Sequence, residues 1–281
     1  PMPNMPMIEG TPIVIAGVMY VTGPNQVYAL DAATGREFWR YAQPRTEGLV
    51  GDPAIGLNRG VAVRGDRLFT VTDHAHVIAL DRFTGELVWD TEMADYNDHY
   101  GAVAAPLVVG DLVIAGISAG DTGLRGFLDA YHADTGERAW HYQTVHHDIW
   151  DWDLPAAPVL LDITVDGREI KAVIVPTKQT YMFVLDRETG EPVWEIEEVP
   201  VTHSDVPGEW YSPTQPIPTK PPPVDEIDLG PEDLVDYTPE LLAQAQEIYS
   251  RYTIGWLYDP PTVAIANQSL GTPSYPARPV A

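Results

Sequence analysis

The run His146-His147-Asp148-Ile149-Trp150-Asp151-Trp152-Asp153 brings two imidazoles, three carboxylates and two indoles into eight consecutive positions. In an extended strand alternate side chains share a face, so Asp151 and Asp153 would converge, about 6.6 Å apart along the chain, with Trp150 and Trp152 on the other face. Two carboxylates held that close call for a cation or a shared proton. The same residues are also compatible with solvated loop acids between packing tryptophans. Three residues outside the run have equally plain readings: Asp121 before Gly123 suits an Asx turn, and Arg59 and Lys178 suit solvated surface charges.

The elements that must position these residues are set by a repeat. Four segments share one pattern: ALDAATGREFW (Ala29 to Trp39), ALDRFTGELVW (Ala79 to Trp89), AYHADTGERAW (Ala130 to Trp140) and VLDRETGEPVW (Val184 to Trp194). Their third positions, Asp31, Asp81, His132 and Asp186, recur every fifty or so residues, a period that marks a propeller or solenoid. In each copy an apolar run enters an x-x-Thr-Gly turn and a second run leaves it, as expected for a hairpin whose Gly takes positive φ. Further short β-type runs upstream, such as PIVIAG and VMYVTG, give about four strands per period, which is one propeller blade. The expected fold is all-β: a β-propeller of about four four-stranded blades in an incomplete ring, with Trp39, Trp89, Trp140 and Trp194 as blade-to-blade docking residues. Exposed apolar blade faces would then favour self-association.

Residues 1–200 are read as this partial propeller and residues 201–281 as a separate proline-rich loop, short helix and irregular tail. The prolines of Val201 to Pro223 disfavour a central strand. Thr238 as N-cap and Pro239 in the first turn predict a helix to about Tyr252, with Leu241, Leu242, Ala245, Ile248 and Tyr249 on its apolar side.

Composition narrows the partners. Forty-one acidic against 16 basic residues give a formal charge of -25, which repels phosphate backbones and anionic membrane surfaces, so nucleic acid is not an expected partner. With no cysteine there is neither a disulfide nor a thiolate metal site. The start, PMPNMPMIEG, has neither an initiator Met nor a signal-peptide pattern, and a processed or excised N-terminus is expected.

The motif Asp-x-x-Thr-Gly-x-x-x-Trp resembles the tryptophan-docking repeat of the pyrroloquinoline-quinone-dependent (quinoprotein) alcohol and glucose dehydrogenases, from about Ile13 to Pro223. HHDIWDWDLPAAPVL resembles the sequence around the catalytic aspartate of that family, which places the base on Asp151. The resemblance implies a cation, Ca²⁺ or a lanthanide ion, held by Asp121, Asp151 and Asp153. It implies Arg59, Ser118 and Lys178 as residues binding pyrroloquinoline quinone, Arg59 toward a carboxylate and Lys178 toward the quinone oxygens. It further implies a primary alcohol or sugar substrate, an electron acceptor such as a cytochrome c or ubiquinone, and a periplasmic location. Between Asp121 and Asp151 nothing resembles the family's Gly-Thr-Gly-Asn-Pro, and its vicinal cysteine pair is absent. A non-enzymatic scaffold sharing the repeat, like the outer-membrane assembly lipoproteins, is the competing expectation.

Overall fold

A computed structural model describes residues 9–118, 120–152, 154, 156–225 and 230–263, with Asp121 described by its backbone alone. It forms two compact units: Pro1–Thr122 with Gly126–Thr144 and Asp186–Glu191, and Gly123–Arg125 with Val145–Leu185 and Pro192–Ala281. These units do not follow the 200/201 division read from the sequence.

The first unit holds three four-stranded antiparallel sheets. The first is β1 (Ile13–Ile15), β2 (Val18–Gly23), β3 (Gln26–Asp31) and β4 (Glu37–Ala42). A short helix, α1 (Gly51–Ile55), leads to β5 (Ala62–Arg64), β6 (Arg67–Val71), β7 (His76–Asp81) and β8 (Leu87–Glu92). The third is β9 (Leu107–Val109), β10 (Leu112–Gly116), β11 (Gly126–His132) and β12 (Arg138–Val145).

In the middle sheet both faces are buried, and the two-residue period of a strand sorts its side chains between them. Leu68, Ile78 and Leu80 join the cluster of Tyr20, Val27 and Ala29, while Phe69, Val71, Val77 and Ala79 join that of Val113, Ala115 and Tyr131. Each fully buried Leu, Ile or Phe contributes roughly 1.5–3 kcal/mol, so β6 and β7 tie their neighbours together.

The docking contacts repeat with the sequence. Trp39 Nε1 donates to Arg82 O, Trp89 Nε1 to Ala133 O and Trp140 Nε1 to Arg187 O, each at 3.0 Å. Every acceptor lies one residue after the Asp or His that opens the next turn. In each turn the Gly amide donates to that residue's carbonyl at 2.8 Å. Glycine is required on two counts at Gly85, Gly136 and Gly190. Their φ values are 77°, 74° and 75°, and a Cβ would lie within 2.7 Å of the docked indole of Trp39, Trp89 or Trp140. Trp194 docks no later turn among the described residues.

The second unit carries a three-stranded sheet of β13 (Val159–Val165), β14 (Arg168–Pro176) and β15 (Met182–Asp186). Asp166 and Gly167, both at positive φ, form the two-residue turn between β13 and β14. Where a fourth strand would lie there is only an isolated bridge from Leu185 to Pro192, with Val193 N bonded to Val184 O. Pro192 has no N–H to extend the ladder, so three blades are four-stranded and the fourth is not.

The proline-rich segment departs from expectation. Thr214–Pro218 is a strand, β17, paired antiparallel with β16 (Ile196–Pro200). In a two-stranded sheet both strands are edges, and an edge strand tolerates Pro216 and Pro218, whose missing donors face away from the partner. The helix forms as α2 (Pro239–Tyr249), with Thr238 Oγ1 accepting from Leu241 N at 3.3 Å, and ends three residues earlier than expected. It buries no residue.

Candidate active site

The run from His146 to Trp152 follows β12 and is not a strand. His147 and Asp151 both have positive φ, 40° and 62°. This corrects the alternation argument, which needed an extended backbone to bring Asp151 and Asp153 onto one face. Asp is among the few residues that accept the left-handed conformation readily. The tryptophans still separate from the carboxylate: Trp152 is buried and Trp150 half-buried in one apolar cluster with Val145, Tyr181, Leu257 and Tyr258, while the Asp151 side chain is 41% exposed.

Lys178 meets that carboxylate. It occupies the turn between β14 and β15, which is closed by a bond from Thr180 N to Thr177 O and by Thr177 Oγ1 donating to Tyr181 O at 3.0 Å. From there Lys178 Nζ donates to Asp151 Oδ2 at 2.9 Å and to Asp151 O at 3.1 Å. The Lys178 side chain is 25% exposed, so both members of the pair are partly open to solvent. An acceptor for protons beside a cationic donor of hydrogen bonds is what a substrate hydroxyl and an electrophilic carbonyl require.

The two histidines of the run are engaged elsewhere. His146 Nε2 lies 3.0 Å from Glu198 Oε1, and its backbone N donates to Gln215 Oε1 at 2.9 Å. Burial alone would raise the pKa of Glu198, but bonds from His146 and Thr214 bring it below the ordinary value. His147 packs edge-on against Trp210, with ring centroids 4.2 Å apart, and burial lowers its pKa against the opposing pull of the Trp210 backbone and Glu209.

The remaining residues named from sequence fall as follows. Arg59 lies in the first unit, where its guanidinium reaches Glu9 at 3.3 Å and Asp52 at 3.4 Å. Ser118, also in that unit, makes a reciprocal backbone bridge with Gly101. Asp121 is in a single 3-10 turn, Gly120–Thr122, and its side chain lies outside the described residues, as does Asp153. Among the described residues no three His, Asp or Glu side chains gather as ligands of a metal ion. Of the residues in view, Lys178 has the chemistry a quinone oxygen would need, an ammonium with hydrogen-bond donors to offer.

Sequence reasoning missed the Trp256–Asp259 turn, which lies against this run. Trp150 Nε1 donates to Asp259 O at 2.9 Å, and Gln179 Nε2, next to Lys178, donates to the Tyr258 hydroxyl at 3.3 Å. The available signal was the aromatic cluster Trp256-Leu257-Tyr258 in a stretch of otherwise loop-like composition.

Residues 128–277 match the family model described as glucose/ethanol/alcohol dehydrogenase, beta-propeller domain, which carries the quinone's abbreviation PQQ as its name. Residues 23–201 match a related model, outer membrane protein assembly factor BamB. The chain is 38% identical over 144 residues to quinohemoprotein alcohol dehydrogenase ADH-IIG of Pseudomonas putida, covering 50% of this chain and 20% of that protein. It is 51% identical over 88 residues to quinoprotein glucose dehydrogenase of Escherichia coli, covering 31% and 11%. To 1-butanol dehydrogenase (cytochrome c) of Thauera butanivorans it is 25% identical over 291 residues, covering 69% and 42%. The chain thus spans less than half the length of these relatives. Among solved structures, that of ADHIIG from Pseudomonas putida superposes with a TM-score of 0.48 at 23% identity, covering 70% of this chain and 43% of that one. The model matched over more than half of the sequence settles the lineage: this chain belongs to the β-propeller family of pyrroloquinoline-quinone-dependent glucose, ethanol and alcohol dehydrogenases.

Proposed function

We propose that this chain carries the general base and a quinone-binding lysine of a periplasmic dehydrogenase that oxidises a primary alcohol or sugar hydroxyl. The carrying observation is the Lys178–Asp151 pair, at 2.9 Å and open to solvent. Asp151 accepts the proton of the substrate hydroxyl. Lys178 holds the carboxylate in place before substrate arrives and afterwards offers its ammonium donors to a quinone oxygen. When bound, pyrroloquinoline quinone would supply the acceptor for the hydride, which no side chain of the protein can provide. Arg59 and Ser118 toward the quinone, and Asp121, Asp151 and Asp153 toward Ca²⁺ or a lanthanide ion, complete the proposal on the strength of the family resemblance. A cytochrome c or ubiquinone would remove the electrons.

The test is Asp151→Asn in the chain extended to the length of its relatives, assayed with quinone and an artificial electron acceptor. Asn keeps the shape and tolerates the same backbone conformation but removes the basic oxygen, so turnover should fall by about 10²-fold. Quinone affinity, followed by tryptophan fluorescence, should persist. Undiminished turnover in Asp151→Asn would reject the assignment.

The match to the BamB model favours a second reading, a propeller scaffold that binds no quinone. It predicts that neither Asp151→Asn nor Lys178→Ala alters any quinone titration, because no quinone binds.

A further inference from the structure

We infer that the Trp256–Asp259 turn is a positioning clamp for the Lys178–Asp151 pair, an inference that rests on the reading of that pair as the reactive site. Asp151 has no strand around it to fix its direction. Its place is set instead through its neighbour Trp150, whose indole N–H donates to Asp259 O at 2.9 Å across 109 residues of sequence. The Trp150 ring also meets Tyr258 nearly edge-on, at a centroid distance of 5.2 Å.

The other member of the pair is tied to the same turn. Gln179, next to Lys178, is buried and donates to the Tyr258 hydroxyl at 3.3 Å across 79 residues. Tyr258 is 1% exposed, and burial raises its pKa, so it stays a neutral phenol that can accept this bond. Two chain segments, each carrying one member of the pair, therefore end on adjacent residues of one turn.

That turn is itself rigidly closed. Asp259 N donates to Trp256 O and Asp259 Oδ2 accepts from Trp256 N, both at 2.8 Å. Asp259 Oδ1 accepts from Thr202 Oγ1 at 2.6 Å, and Trp256 packs against Tyr258 at 5.4 Å. A rigid support of this kind fixes two reacting groups more firmly than either flanking loop does alone. Trp150, Gln179, Tyr258 and Asp259 are on this account positioning residues, since none touches the reacting atoms.

Lysine labelling of the 281-residue chain reads the pair without quinone or turnover. The chain has three lysines, Lys171, Lys178 and Lys220, so two serve as internal controls. Acylation by an amine-reactive ester, quantified by mass spectrometry, slows at an ammonium held by a carboxylate. Asp151→Asn should raise the Lys178 rate about threefold or more, the loss expected for a half-buried ion pair. Trp150→Phe and Tyr258→Phe, which keep an aromatic ring at each position and remove one hydrogen bond each, should move Lys178 in the same direction and leave Lys171 and Lys220 unchanged. The clamp is rejected if both variants leave Lys178 unchanged while Asp151→Asn raises it. A parallel rise at all three lysines would mean general loosening and would also reject it. No response of Lys178 to Asp151→Asn would show that there is no pair to position. Turnover in the extended chain decides the role of Asp151 separately, so a failed clamp and a failed site give different results.

Discussion

The docked blades of the first unit and the run from His146 to Trp152 in the second are held in opposite ways. In the blades one contact recurs: an indole N–H reaches the carbonyl after the next turn's first residue at 3.0 Å, three times over. Each copy needs only a Gly without a Cβ and a Trp at fixed spacing. The run from His146 to Trp152 uses contacts that occur once, to Leu124, Gln215, Tyr258 and Asp259, with two residues at positive φ. Repetition makes a scaffold whose parts are interchangeable, whereas a site needs particular groups in one particular place.

The largest effect that would break this contrast concerns a docking Trp. Trp89→Ala removes an indole that packs on Gly136 and Phe69 and donates to Ala133 O. Urea denaturation should show a loss of about 3 kcal/mol, the low end for deleting a packed aromatic because Trp89 is only half-buried. A loss below about 1 kcal/mol would mean that the repeat is not what joins the blades.

Next in size is a pH effect at a contact of the irregular kind that lies inside the regular unit. Asp73, 1% exposed, accepts from Asn25 Nδ2 and Thr46 Oγ1 at 2.8 Å and from Arg45 Nε at 2.7 Å, with His74 Nδ1 at 3.3 Å. Burial alone would raise its pKa, but bonds from His74, Arg45, Asn25 and Thr46 together hold it at about 2. A carboxyl whose pKa is depressed on folding stabilises the fold fully above its unfolded value near 4, and that contribution is lost as pH falls toward 2. The contribution is about 2 kcal/mol. Denaturation of the protein and of Asp73→Asn at pH 7 and pH 2.5 checks it: the variant should start less stable and lose less on acidification.

The smallest effect sharpens the comparison from the other side. Trp194 has the repeat's spacing but docks no turn among the described residues, so Trp194→Ala should cost about 1 kcal/mol or less. A loss equal to that of Trp89→Ala would show that the indole is packed as the other three are.

Much of the scaffold was legible because its signals are local. The Thr-Gly turns and the Trp spacing within each copy follow from residues within a dozen positions of one another, the period is the recurrence of that local signal, and Thr238 with Pro239 announced α2 for the same reason. Failures came where the decision was not local. Pro216 and Pro218 read as strand breakers, and only the pairing with β16 makes theirs an edge where prolines are harmless. Pro192 stands where the other repeats have Glu37, Leu87 and Arg138, yet there it leaves the ladder as a single bridge.

The sequence by itself determined the blade pattern and three docking tryptophans, Trp39, Trp89 and Trp140, and it offered Asp151 and Lys178 among six candidate site residues. Tertiary structure alone decided that these two meet at 2.9 Å, that Asp151 sits in a left-handed turn instead of a strand, and that Trp256–Asp259 backs them. The reason is physical: a hairpin is specified by side chains a few bonds apart, whereas an ion pair 27 residues apart and an indole bond spanning 109 depend on where whole strands carry their ends.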